Sequence, residues 1–129
     1  MKFSLETISD ANQIYSYDSD HVVIKQKQTH ELLRLDSSLI VTPNHVIMDW
    51  QVNDISKLSA DDIRYLISLK PEVLILADRL ALYPLPPKIT VEFSRLAIGV
   101  EVMPLGAACR TYNLLLAEDR QVVLAINFS

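Results

Sequence analysis

The sequence predicts a single-domain α/β fold built in layers, with flanking helices and a central sheet whose core strands run largely parallel. Three observations carry that prediction. Half of the 129 residues are hydrophobic and only two are glycine, which suits a packed globule of regular elements and not a disordered chain. From Ser38 to the C-terminus, strand-like apolar runs alternate with helical ones, the order that implies a layered sheet with right-handed crossovers. Residues 72–77 (EVLILA) form a short continuous apolar run, as expected of a strand covered on both faces. A chain of this length buries roughly 65–70% of its unfolded surface and is too short for two ordinary domains. Residues 1–129 are therefore read as one unit, without internal repeat, linker or low-complexity segment.

In chain order, residues 1–12 are mixed and polar, an arm more than an element. Ile14, Tyr15 and Tyr17 precede a turn at Asp18-Ser19-Asp20, and Val22, Val23 and Ile24 follow it, which reads as a β-hairpin. Residues 29–35 form a further strand with Asp36-Ser37-Ser38 as its turn. The apolar run 38–42 ends at Pro43, whose ring removes a backbone donor and biases Thr42 towards extended geometry. Residues 45–50 alternate loosely, as a short edge strand does. The first helix carries the fullest signal. Ser59 is its N-cap, Asp61 and Asp62 sit in the first turn, and Leu58 and Ile63 stand at the two positions of a hydrophobic staple. Ile63, Leu66 and Ile67 form its buried stripe, and Lys70 and Pro71 close it.

Residues 80–87 are an apolar loop with three prolines, Pro84, Pro86 and Pro87. For residues 88–97 two patterns compete: Ile89, Phe93, Leu96 and Ala97 share a helical face, yet Ile89, Val91 and Phe93 also alternate as in a strand. Residues 98–103 form a strand and 107–117 a helix with the apolar stripe Ala108, Tyr112, Leu115 and Leu116. Between them lies Pro104-Leu105-Gly106, a tight corner that Gly106 can satisfy. Residues 121–127 are a final apolar strand.

The charges exclude some functions. Net charge is −4, and the imbalance is local, with six basic and ten acidic residues in 1–64 against six of each in 65–129. Nucleic acid is not expected as a partner, because phosphate neutralisation needs a basic stripe. One cysteine makes no internal disulfide, and no apolar run approaches the roughly 20 residues of a membrane span. The N-terminal residues lack the pattern of a secretory or transit segment. A cytoplasmic protein without membrane insertion is expected.

The string EVM…AACRTYN.LL.AEDR, after LIL.DRLALYPLP and before VVLAI, resembles the Mth938-like family, an uncharacterised conserved domain. The resemblance runs from about Ser38 to the end and weakly through the N-terminal hairpin. It implies a mixed central sheet, an extra layer made of the N-terminal hairpins, and a helix for residues 88–97. A mitochondrial branch of the family is associated with assembly of respiratory complex I. Because that branch needs a targeting segment, the chain is similar to bacterial members. Many members carry a Gly-Thr-Gly turn after the central strand, where this chain reads Ala77-Asp78-Arg79. A turn without glycine does not readily adopt positive φ angles, so it is expected to present the Asp78 and Arg79 side chains instead of cradling a phosphate.

Candidate site residues gather in and around the strand 98–103 and the helix 107–117. Cys109, expected in the first helical turn, is where a helix dipole can lower a thiol pKa. No base accompanies it, because His21, His30 and His45 all lie in the other half, and a buried packing role is expected. Those scattered histidines supply no metal-ligand spacing, and no catalytic residue, metal or cofactor is assigned. The Pro104–Gly106 corner matches neither the P-loop nor the dinucleotide fingerprint. Arg110 and Asn113 share a face, as do Thr111 and Glu118. Arg110 needs an acceptor, with Glu101 or Glu118 in reach, and Glu118 and Arg120 are expected to form an ion pair. Glu101 is a carboxylate in an otherwise apolar strand. Trp50 and Tyr83 are interface anchors or a satellite core.

The tentative binding set is therefore Glu101, Arg110, Thr111, Asn113, Glu118, Arg120, Asp78 and Arg79. It suits a non-enzymatic protein-binding or assembly module, which the resemblance links to respiratory complex assembly. The alternative is a small-molecule-binding protein or enzyme with a pocket beside strand 98–103 and helix 107–117. Homomeric association is a third reading.

Overall fold

The computed structural model describes residues 10–50, 52, 54–78 and 85–128. Its elements run β1 (Gln13–Asp18), β2 (His21–Lys25), β3 (Leu32–Leu35), β4 (Leu39–Val41), β5 (Val46–Met48), a 3-10 turn (Ile55–Lys57), α1 (Ala60–Ser68), β6 (Val73–Ala77), α2 (Pro87–Ser94), β7 (Gly99–Met103), α3 (Leu105–Ala117) and β8 (Val122–Ile126). Strands β1, β2 and β3 form an antiparallel meander. The other five form a mixed sheet in the order β5-β4-β8-β6-β7. Its centre, β8-β6-β7, is parallel, while β4 and β5 extend it antiparallel. The expected layered α/β fold is present, hairpin layer included, and residues 45–50 do supply an edge strand.

Alternating side chains of the five-stranded sheet build two cores. Leu39, Val41, Ile75, Ala77, Val122, Leu124 and Ile126 face α3 and the meander, meeting Ala108, Cys109, Tyr112, Leu116, Ile14, Val22 and Ile24. Ile40, Leu74, Leu76, Val123 and Ala125 face the other way, onto Ile63 and Leu66 of α1 and Ile89 and Phe93 of α2. Every side chain of β8 is buried, which explains why its sequence shows no period of two: each face has a cover. Trp50 belongs to the second core, only 7% exposed, so it is packing and not an interface anchor. Tyr83 lies outside the described residues.

Local chemistry sets the helix ends. Ser59 and Asp62 make a reciprocal capping box at 3.0 Å each way, and the staple residues Leu58 and Ile63 are both buried. The helix expected over 88–97 is α2, which begins at Pro87, suited to a first turn, and ends three residues sooner than expected. Its C-terminus closes on Ala97, in the left-handed region at φ 58. The helix expected from Ala107 begins two residues earlier, at Leu105, after Pro104 with no side-chain cap. Proline fixes a suitable φ but offers no acceptor, so the boundary carried no N-cap signal.

Candidate functional site

The residues that tie the meander to the main sheet converge on α3. Tyr112 points into the core and donates its hydroxyl to the Asn12 carbonyl at 2.8 Å. One residue on, Asn113 acts as a strand partner for β1. Its Nδ2 donates to the Ile14 carbonyl at 2.9 Å, and the Ile14 N–H donates to its Oδ1 at 3.0 Å. The primary amide reproduces both bonds of a peptide group, so it closes the outer edge of β1 beside the bulge between Ile14 and Ser16. Asn12 completes the seam. Its N–H donates to the Pro43 carbonyl at 2.9 Å, its Nδ2 donates to the Thr42 carbonyl at 3.1 Å, and its Oδ1 accepts from the Lys27 N–H at 2.8 Å. A buried asparagine is tolerable only when it is satisfied in this way.

Nearer the helix start the seam reaches solvent. Arg110 Nη1 donates to the Tyr17 hydroxyl at 2.6 Å, and both side chains are exposed. Gly106 lies in the first turn beneath them. A Cβ there would stand 3.2 Å from both Tyr17 Cε1 and Arg110 Nη1. Neither glycine of the chain has positive φ, so Gly106 serves close approach and not the tight corner expected of it.

Several expected partnerships are replaced. Arg110 pairs with the Tyr17 hydroxyl, 93 residues away, and not with Glu101 or Glu118, both of which are exposed. Arg120 reaches Glu72, Nε to Oε2 at 3.7 Å, while the other oxygen of Glu72 accepts from the Gln121 N–H at 2.7 Å. The Glu118–Arg120 pair therefore does not form, because α3 has ended before both and the chain turns between them at Asp119, with φ 61. Thr111 is half-buried. Asp78 is half-buried too, and its N–H donates to the Met103 carbonyl at 3.1 Å; Arg79 lies outside the described residues. Cys109 is in the second turn once the helix starts at Leu105, beyond the dipole's reach. It is 1% exposed, and burial pushes its thiol up to about 12 against the opposing pull of Arg110. Such a thiol is protonated and inert at neutral pH.

The structure thus brings Gly106, Arg110 and Asn113 together along β1. Glu101 stands on β7, and Glu118 and Arg120 lie at the far end of α3. Sequence reading missed Tyr17, Asn12 and Tyr112 as members of the seam. Tyr112 carried a signal, since a tyrosine in an apolar stripe needs a partner for its hydroxyl. Tyr17 carried none. His21 Nδ1 lies 2.8 Å from Asp20 Oδ1, a surface contact that holds the Asp20 carboxyl below its ordinary value. Among the described residues, no three metal-ligating side chains come together.

Among the described residues, two clefts can be placed, one between helices and one near the end of α3. One, of about 310 Å³, lies between α1 and α2 over Leu58, Ile63, Ile67 and Ile89, with Arg64, Lys88 and Glu92 at its rim. The other, of about 230 Å³, is lined by Asp10, Asn44, Asp119 and Arg120 among others.

Comparison with known proteins places this geometry. The model of a family described as "Protein of unknown function (DUF498/DUF598)" matches residues 14–127. NADH dehydrogenase (ubiquinone) 1 alpha subcomplex assembly factor 3 of Drosophila melanogaster is 29% identical over 84 residues, 62% of this chain and 43% of that protein. The matched part is thus less than half of that relative's length. A crystal structure of a Bordetella parapertussis protein superposes with a TM-score of 0.77 at 27% identity, covering 91% of this chain and 95% of the other. A solution structure from Bordetella pertussis, described as a Mth938-like domain, gives a TM-score of 0.72 at 22% identity over 94% of this chain and 86% of its own. No described helix is long and apolar enough to cross a membrane.

Proposed function

We propose, from the premise that this chain belongs to the DUF498/DUF598 family and has the Mth938-like fold, that it is a non-enzymatic protein-binding module acting in assembly in the cytoplasm. One observation carries the reading. The polar groups of α3 that could do chemistry are engaged internally: Asn113 and Tyr112 hold the meander, and the Cys109 thiol is buried and protonated. The charged group that α3 offers outward is Arg110, bonded to Tyr17. A guanidinium so placed keeps several donors for a partner's carboxylate or backbone carbonyl. The relative named as an assembly factor supports a role among proteins and, by extension, a link to respiratory complexes. Glu101, Thr111 and Glu118 are the further surface positions of this reading. Asn113 and Arg120 contribute by holding the frame. Nucleic acid has no place in it.

The test is recovery of a stoichiometric partner with the tagged chain expressed at native level, followed by titration of the purified pair. Arg110→Ala should weaken that pair by about tenfold, as expected of an interface arginine. Its melting temperature should move by no more than ~1–2 °C, because exposed substitutions stay within roughly 0.5 kcal/mol. Recovery of no stoichiometric partner, or an Arg110→Ala pair of unchanged affinity, refutes the proposal.

A further inference from the structure

The sheets have four edges, and they differ. The outward N–H and C=O of Ile14 on β1 are both taken by Asn113. β5 is only three residues long, and on β3 the charge of Arg34 is engaged with Asp36. β7 is different: five residues, hydrogen-bonded to β6 on one side and to no described strand on the other. Gly99 N–H donates to the Glu72 carbonyl and the Met103 carbonyl accepts from Asp78 N–H, each at 3.1 Å, so these groups point towards β6. Strand alternation then turns the N–H and C=O groups of Val100 and Val102 outward. Their side chains lie half-buried against the α1/α2 core, and Leu96, just before the strand, is 56% exposed. Glu101, between the two valines, projects from the opposite face of the strand. It is exposed, with no hydrogen bond or ion pair of its side chain among the described residues.

We infer that the outer edge of β7 is a docking site for an extended segment of a partner protein. The segment adds as a sixth strand, with apolar side chains beside Val100 and Val102 and a lysine or arginine opposite Glu101. This rests on the protein-binding reading above and deepens it. The outward backbone groups of Val100 and Val102, which meet no described strand, supply the register, and the Glu101 carboxylate supplies the choice of partner. A charge on an edge strand is also a device against self-pairing. Here the two uses coincide: a second copy added antiparallel about the strand centre brings Glu101 against Glu101, whereas a basic segment brings the opposite charge. The edge therefore rejects its own kind and accepts a complementary strand.

The experiment uses the full chain, isotopically labelled, and two capped peptides, Ser-Thr-Val-Lys-Val-Thr-Ser and the same sequence with glutamate in place of lysine. The lysine peptide should shift the amide signals of Val100 and Val102 saturably and slow their exchange. It should bind about fivefold more tightly than the glutamate peptide, the ratio expected when a favourable cross-strand pair replaces a repulsive one. In Glu101→Lys, an exposed change, that preference should reverse. Absence of saturable shifts at Val100 and Val102 at millimolar peptide overturns the proposal, as does a preference that Glu101→Lys leaves unreversed. Concentration-dependent protection of the same amides without peptide overturns it in favour of a second copy. A native partner lost by Arg110→Ala but held by Glu101→Lys sinks this site alone. Recovery of no partner sinks the broader reading, and the peptide data still decide the edge.

Discussion

The five-stranded sheet is covered on its two faces by different means. On one face α3 and the meander are joined by directional bonds between residues about a hundred apart in sequence: Tyr112 to Asn12, Asn113 to Ile14, Arg110 to Tyr17. On the other, α1 and α2 lie on the sheet through apolar side chains, Ile63, Leu66, Ile89 and Phe93, and their polar contacts among the described residues are local caps and short-range pairs. Connectivity explains the contrast. The helix α2 joins the neighbouring parallel strands β6 and β7, so its position follows from the chain path and burial alone suffices. The meander is joined to the main sheet in sequence only at its end, and apolar contact by itself would leave its register loose. Hydrogen bonds to backbone groups set that register, because they are satisfied at one alignment only.

That contrast can be broken by substitution. Phe93→Ala, which empties a fully buried site on the α1/α2 face, is expected to cost about 3–5 kcal/mol. Asn12→Ala is expected to cost about 2–3 kcal/mol, since it strands the Thr42 carbonyl and the Lys27 N–H while leaving little cavity. The two should also differ in kind. Urea unfolding combined with amide exchange should show Phe93→Ala lowering protection throughout the main sheet, and Asn12→Ala lowering it first in β1 to β3. Equal loss everywhere after Asn12→Ala would mean that the meander is not a separately fixed layer.

The smaller pH effect belongs to the bonded face. Burial raises the Cys109 thiol from 9.0 to about 12, so the folded state keeps a proton that the unfolded chain releases. Its contribution to stability is complete below pH 9 and is lost as pH rises towards 12. One unit above the ordinary value the loss is about 1 kcal/mol. Melting temperature followed from pH 7 to alkaline pH should fall for the natural chain. It should fall less steeply for Cys109→Ala. Parallel curves for the two would show that the thiol is not held in an apolar site.

How much of this was legible follows the same division. The α1/α2 face was read from neighbouring residues: the Ser59 cap, the Leu58–Ile63 staple and the apolar run of β6 are all local signals, and each falls where expected. The bonded face was not, because its information is the pairing of distant residues. Nothing in the AACRTYN string says that Asn113 will serve as a strand partner to Ile14, or that Arg110 will find a phenol on the first hairpin in place of a carboxylate beside it. Sequence proximity favoured Glu101 and Glu118 for Arg110, and Glu118 for Arg120; the three-dimensional neighbours are Tyr17 and Glu72. The start of α3 was hidden for a simpler reason, that Pro104 leaves no cap to recognise.

Helix C-termini allow the finest comparison between the faces. A chain with two glycines must end its helices on other residues, and three take left-handed φ to do so: Lys70 after α1, Ala97 after α2 and Asp119 after α3. Ala97 and Asp119 occupy the same position of the same motif. Ala97 N–H donates to the Ser94 carbonyl and Ile98 N–H to the Phe93 carbonyl. Asp119 N–H likewise donates to the Leu116 carbonyl and Arg120 N–H to the Leu115 carbonyl, the pair of bonds that usually calls for glycine. A Cβ in this conformation costs about 1–2 kcal/mol, and aspartate tolerates it better than alanine does. Glycine brings back some of that gain as unfolded-state entropy, roughly 0.4–1 kcal/mol. The balance predicts that Ala97→Gly stabilises by about 0.5–1 kcal/mol. Asp119→Gly, with less strain to relieve and the same entropic cost, should be close to neutral. Denaturant midpoints of the two variants decide it. A destabilised Ala97→Gly protein would mean that the alanine methyl makes a contact worth more than the strain it imposes, and that the α2 corner is held by packing and not by its backbone bonds.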